Sequence, residues 1–199
     1  MSEWDKMLNQ EVYNDFDQEL FNKRVEAKKL FKAYNKTSDD EIELRKELMS
    51  KLFKKVGNNV WIEPDFRCEF GKNISIGNNV YINFGCIILD CNLVSIGDNT
   101  LIGPNAGIYA ANHSIYYEDR INGGCVGKPI TIGKNVWLGG DVKIVPGVSI
   151  GDNSIIGTGS IVTKDIPNNV IAVGNPCHVV RKITIEDKTD YLKRIKEEK

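Results

Sequence analysis

The chain has 199 residues, 41% hydrophobic and 27% charged, and its 26 Lys and Arg against 27 Asp and Glu leave a formal net charge of −1. That balance lacks the basic excess that nucleic acid or an anionic membrane surface would require. No apolar run approaches the roughly 20 residues that cross a bilayer, and residues 1–10 are polar, without a signal-peptide core. The cysteines, Cys68, Cys86, Cys91, Cys125 and Cys177, are odd in number and form no C-x-x-C pair. They argue against a disulfide framework and a zinc knuckle, and for a reduced, cytoplasmic protein.

Residues 1–57 read as a helical cap segment. Leu20, Ala27, Leu30, Phe31 and Tyr34 fall near one face of a 3.6-residue period, and Ile42, Leu48, Met49, Leu52 and Phe53 form a second stripe. Ser38 with Glu41 predicts a capping box at the start of the second helix, and Gly57 predicts its end.

After Gly57 the pattern changes. Residues 58–183 are rich in β-branched residues, Gly and Asn, and they carry a six-residue repeat: Ile132, Leu138, Ile144, Ile150, Ile156 and Val162. Four positions after each stand Val136, Val142, Val148, Ser154, Ser160 and Ile166, and Gly133, Gly139, Gly151 and Gly157 follow four of the leading residues. The same register runs through Ile76, Ile82 and Ile88, then through Ile96, Ile102 and Ile108. The step from Ile88 to Ile96 is eight, so two residues bulge out; between Ile108 and Ile132 the repeat breaks, and residues 112–129 read as a loop thrown out of it. A period of six fits no α-helical face. It predicts a mainly β fold, a parallel β-helix in which each unit supplies one short strand and one corner. The leading aliphatics stack inward, each worth about 1.5–3 kcal/mol, and Gly and Asn take the corners because they tolerate positive φ. Residues 184–199 are charged, and Thr184 with Asp187 predicts a cap on a short C-terminal helix.

The chain has two histidines, His113 and His178. His113 stands in Ala-Ala-Asn-His-Ser at the root of the interruption, where a rigid scaffold first releases an arm. Histidine titrates near neutrality and can take a proton from a hydroxyl. Trp137, between Val136 and Leu138, is in register to point outward, which marks it as a contact.

The six-residue pattern resembles that of the hexapeptide-repeat acyltransferases, and further motifs narrow the resemblance. Glu11-Val12-Tyr13-Asn14-Asp15, Ile62-Glu63-Pro64, Phe66-Arg67-Cys68, Asn83-Phe84, Gly127-Lys128-Pro129, Asn135-Val136-Trp137 and Thr163-Lys164-Asp165-Ile166-Pro167 follow in order. Together they resemble the maltose and galactoside O-acetyltransferases almost end to end, the maltose branch most closely. The resemblance implies a left-handed parallel β-helix, against the general right-handed preference of crossovers. It implies acetyl-CoA as co-substrate, a sugar hydroxyl as acceptor, no metal, and a homotrimer with sites between adjacent β-helices. His113 then carries the general-base role and Asn83 contacts the acceptor. Asp15, Glu69, Tyr81 and Asp90 match or neighbour acceptor positions. Trp137, Gly140, Thr158, Thr163, Lys164 and Arg181 match coenzyme A positions, and His178 stands where relatives have a basic residue near its phosphates.

Three departures bear on the expectation. Ser114 replaces the proline that commonly follows the histidine, which predicts a looser loop. Cys91 replaces a second acidic residue of the galactoside branch. His178 predicts a phosphate contact that is pH-dependent or lost. Alternative readings are an acetyltransferase for a non-sugar hydroxyl such as an antibiotic, or a non-catalytic β-helix scaffold. A γ-type zinc carbonic anhydrase needs three histidine ligands, which two histidines do not supply.

Overall fold

The structure is a computed structural model that describes residues 1–197. Three parallel sheets wrap residues 55–173 into a left-handed β-helix of about 6 turns, with helices at its first end and a short helix, Tyr191–Glu197, after its last. No helix among the described residues is long and apolar enough to cross a membrane.

The three faces differ in what they show to the outside. One, built from Lys55–Val56, Ile74–Ile76, Val94–Ile96, Ile130–Ile132 and Ser149–Ile150, carries an outward row of Lys55, Ser75, Ser95, Thr131 and Ser149, and is called here the polar face. The aromatic face carries Trp61, Tyr81, Leu101, Trp137, Ile155 and Ile171 in its outward row. The arm face comprises Arg67–Cys68, Ile87–Leu89, Gly107–Tyr109, Lys143–Ile144 and Ile161–Val162. Inward rows explain the six-residue period. Ile62, Ile82, Ile102, Leu138 and Ile156 stack as parallel partners on the aromatic face, and all are buried. Ile76, Ile96, Ile132 and Ile150 do the same on the polar face, and Ile88, Ile108, Ile144 and Val162 on the arm face. The residues four positions on, Val136 to Ile166, are also buried and fill the corners.

The corner between the polar and aromatic faces is an asparagine column. Asn59, Asn79, Asn99, Asn135, Asn153 and Asn169 all have φ between 54° and 60°. Each amide donates to the next side-chain oxygen along the column, at 2.8–3.0 Å. Asparagine is suited twice: it tolerates the left-handed region, and its amide both donates and accepts.

Helices α1 (Glu3–Leu8), α2 (Gln18–Tyr34) and α3 (Ile42–Leu52) form the cap. Phe31, Tyr34, Met49, Leu52 and Phe53 join one apolar core with Ile62, Phe66 and Ile74, so α2 and α3 close the open end of the coil. Arg45 is buried between the Tyr34 and Trp61 rings, 4.6 and 4.4 Å from their centroids, and donates to Tyr34 Oη at 2.8 Å and Ile62 O at 2.7 Å. Two boundary expectations differ from the structure. The N-cap of α3 is Glu41, without a side-chain cap bond, because the Ser38 hydroxyl turns to Asp40 and Glu41 while Glu41 accepts the Ser38 N–H at 2.8 Å. α3 also ends at Leu52 rather than Gly57, since Lys55–Val56 already forms the first rung. At the other end, Thr184 and Asp187 form the expected capping box, on the 3₁₀ turn Ile185–Asp187.

The eight-residue step holds two tie points. Asp90 is fully buried; its carboxylate accepts the Glu69 N–H at 3.0 Å, the Phe70 N–H at 2.8 Å and the Asn73 N–H at 3.3 Å. Asn92 donates to Met7 O at 2.7 Å and Gly127 O at 3.2 Å, joining α1 to residues that leave the repeat. Residues 112–129 are therefore no loop. Ala111–His113 and Gly124–Gly127 pair antiparallel as an arm, with the helix α4 (Tyr117–Ile121) at its tip, and Tyr13–Asn14 adds a third strand. Gly127 passes so close to the corner that a Cβ there would lie 2.1 Å from Cys91 O.

Replacing Asn99 by Ala removes a φ > 0 residue and two rungs of its column, and should lower unfolding free energy by about 1–2 kcal/mol, readable from urea melts. Burial raises the Asp90 carboxyl to about 6 against its backbone donors, from an ordinary 3.8. The folded state therefore holds an extra proton between those values, and its stability falls as pH rises through them. Wild type should gain stability relative to Asp90→Asn as pH drops from about 6 to about 4; a constant difference would contradict that origin.

Candidate active site

His113 ends the first arm strand, exposed, directly opposite Cys125 of the second. Its Nδ1 lies 3.0 Å from Cys125 Sγ. Cys125, Cys91 and Tyr13 share a small buried core with Met7, Leu20 and Phe70, so the arm is seated on the cap and not free. Ser114 tightens this arm instead of loosening it: its N–H donates to Gly124 O at 2.9 Å, a bond that proline could not make. Arg120 closes the tip by donating to Ser114 O and Ile115 O at 2.9 and 2.8 Å. The tip itself is apolar and exposed, with Ile115 at 97% and Tyr116, Tyr117 and Ile121 beside it.

Below the arm, sequence reasoning missed Arg24. Its guanidinium donates to the Asp15 carboxylate, to Asp15 O at 2.9 Å, and to the Glu69 carboxylate. Burial opposes the Arg24 charge, but Asp15 and Glu69 more than offset this and hold its pKa above the ordinary value. Asp15 and Glu69 thus meet at one ion-paired cluster. The signal was weak in sequence because Arg24 sits on a helix whose exposed positions carry many other charges. Asp90 is not part of this surface; its carboxylate is spent on the turn at residues 69–73. Cys91 is buried too, so no acidic side chain could stand there without a burial cost.

Most of the remaining residues fall on the other side of the arm face. Asn83 stands half-buried at the corner that follows the Tyr81–Ile82 strand; its Oδ1 accepts the Phe84 N–H at 2.8 Å, which leaves the amide NH₂ to point elsewhere. Tyr81 donates to Glu63 at 2.9 Å, and desolvation, then this bond, raise its pKa. Gly140 and Thr158 occupy the same corner in later turns, and Trp137, 52% exposed, precedes it on the aromatic face. Thr163 and Lys164 are exposed at the opposite corner, beyond Ile161–Val162. His178 and Arg181 lie on the exposed closing strand His178–Lys182. Arg181 is already engaged, with Asp187 accepting at 2.8 and 2.7 Å; that bond and the Thr184 N–H hold the Asp187 carboxyl down at about 2.

Within one chain, then, the named residues divide between two edges of the arm face. His113, Asp15, Glu69, Thr163 and Lys164 gather along one; Tyr81, Asn83, Trp137, Gly140 and Thr158 along the other. Among the described residues no group of three His, Cys, Asp or Glu side chains could hold a metal ion.

Comparison with known proteins accords with this architecture. Residues 6–57 match the maltose acetyltransferase hexapeptide capping motif, and residues 129–164 the bacterial transferase hexapeptide, six repeats. A galactoside O-acetyltransferase of Escherichia coli is 47% identical over 94% of this chain and 92% of its own length. A crystal structure of a maltose O-acetyltransferase from Clostridium difficile superposes with a TM-score of 0.90 at 46% identity, covering 92% of this chain and 98% of that one. A galactoside acetyltransferase in complex with coenzyme A superposes with a TM-score of 0.91 at 45% identity, covering 96% of each. With both the capping motif and the repeat present and relatives matched almost end to end, the chain is an O-acetyltransferase enzyme and belongs to the maltose and galactoside acetyltransferase family of hexapeptide-repeat transferases.

Proposed function

We propose that this enzyme transfers the acetyl group of acetyl-CoA to a sugar hydroxyl, with His113 as the general base. The observation that carries the reading is the placement of an exposed imidazole at the root of a rigid arm, in a chain 47% identical to a galactoside O-acetyltransferase. His113 Nε2 takes the proton of the acceptor hydroxyl as its oxygen attacks the thioester carbonyl. The carbon–sulfur bond then breaks, and the imidazolium returns the proton to the departing thiolate. A base of this kind contributes roughly 10²–10⁴ in rate. The Arg24, Asp15 and Glu69 cluster beside the arm offers the fixed donors and acceptors by which hydroxyls are read. Asn83 contributes its amide to the acceptor. Trp137, Gly140 and Thr158 line the path of the pantetheine arm, and Lys164 and His178 meet the phosphates. Arg181 joins them only by sharing or releasing Asp187.

The division of these residues between two edges favours a homotrimer. The aromatic and arm faces are not equivalent, so their contact is head-to-tail, and on a triangular prism such contacts close into a ring. Trp137, Leu101 and the apolar arm tip are the exposed groups such a contact would cover. The polar face is left to solvent. The five free thiols suit a reducing cytoplasm.

Free-thiol release from acetyl-CoA, measured with a panel of mono- and disaccharides, should be sugar-dependent and fall by about 10²–10⁴ in His113→Ala. Equal turnover in the variant would remove His113 as the base. Bound coenzyme A without turnover on any sugar would overturn the acceptor class. In light scattering the intact protein should have the mass of three chains, and Trp137→Asp should shift it towards one.

A further inference from the structure

His113 is backed by an unusual row. Tyr13 stands opposite Cys125 and Cys125 opposite His113, so three strands align the phenol, the thiol and the imidazole. Cys91 shares the same small buried core as Tyr13 and Cys125. A cysteine 3.0 Å from a histidine invites the reading of a thiolate nucleophile. The surroundings oppose it. Cys125 is 3% exposed, and burial, with Asp15 and Glu69 adding to it against Tyr13 and Arg24, pushes its thiol up to about 11. Cys91 is pushed up as well, chiefly by burial, and Tyr13 keeps its proton for the same reason. At neutral pH the two thiols and the phenol therefore keep their protons.

The bond between His113 and Cys125 can run in two directions. In one, Cys125 donates its S–H to Nδ1, and Nε2 must carry the imidazole proton and cannot act as a base. In the other, Nδ1–H donates to Cys125 Sγ and Nε2 keeps its lone pair on the exposed side. The second direction uses the imidazole N–H, a better donor than a thiol. It also survives catalysis: when Nε2 takes a proton, Nδ1–H still faces sulfur and nothing in the buried row must turn. In the first direction the imidazolium N–H would confront an S–H.

We propose that Cys125 is a positioning residue that accepts the Nδ1–H of His113 and so fixes the tautomer with a bare Nε2. This rests on His113 being the base, and the test separates the two. The intact enzyme, labelled with ¹⁵N in its histidine rings, contains two histidines, and His178→Gln assigns them. The expected spectrum shows His113 Nδ1 protonated and Nε2 unprotonated at a pH where the ring is neutral. In Cys125→Ala the two tautomers should mix, kcat should fall about tenfold, and KM for acetyl-CoA should stay within about twofold. Cys125→Ser, whose hydroxyl accepts the same bond, should restore the wild-type tautomer and most of kcat. A wild-type Nδ1 without a proton would overturn the proposal, as would unchanged tautomer and kcat in a folded Cys125→Ala. An acetyl group found on Cys125 by mass spectrometry after incubation with acetyl-CoA would overturn it in favour of a nucleophilic thiol. Retained turnover in His113→Ala with the expected tautomer would instead dispose of the base and leave the hydrogen bond standing.

Discussion

The molecule depends on the stacking of one inward aliphatic side chain per face per turn. A single turn has no apolar interior of its own, and Ile82 is buried only because Ile62 lies below it and Ile102 above. Each rung therefore borrows its core from its neighbours, the nearest-neighbour logic of solenoid proteins. The two ends of such a stack are its weak points. α2 and α3 close the first with Phe31, Tyr34, Met49 and Leu52, and the closing strand His178–Lys182 pairs antiparallel with Val170–Val173 at the last. Asparagines along one corner add a second, polar column that keeps the turns in register.

Against this regularity the departures gather at one corner. Two extra residues after Ile88 bring Asp90 and Asn92 inside, one to satisfy the turn at residues 69–73 and the other to tie α1 to the arm. One turn above, the chain leaves the repeat altogether, pairs with itself and with Tyr13–Asn14, and returns at Gly127. The arm thereby acquires a core of its own, Met7, Tyr13, Leu20, Phe70, Cys91 and Cys125, separate from the main stack. His113 owes its fixed position to that second core. A rigid support is what the general-base role proposed for His113 needs, since small displacements of a reacting group are costly in rate.

The faces of the prism divide the labour. The row of Lys55, Ser75, Ser95, Thr131 and Ser149 asks nothing of a partner. Trp137 and Leu101 on the next face, and the arm tip beyond the third, leave apolar surface that a single chain does not cover.

Much was legible in the residues alone. Six-residue spacing determined the β-helix, its inward positions and the outward Trp137, because a strictly periodic core leaves the same mark in every turn. Positive-φ corners followed from the asparagines for the same reason, and His113 was marked by its place at the break. What the repeat could not encode is where non-periodic segments dock. The antiparallel arm, its seat on Tyr13, the Arg24 cluster and the burial of Asp90 and Cys91 each join residues far apart in the chain. Their energetics come from burial and pairing that no local pattern announces. Handedness, too, came from family resemblance and not from spacing, since six residues per face allow a coil of either hand. The sequence by itself determined the scaffold and named the histidine; only the tertiary structure decided what stands behind it.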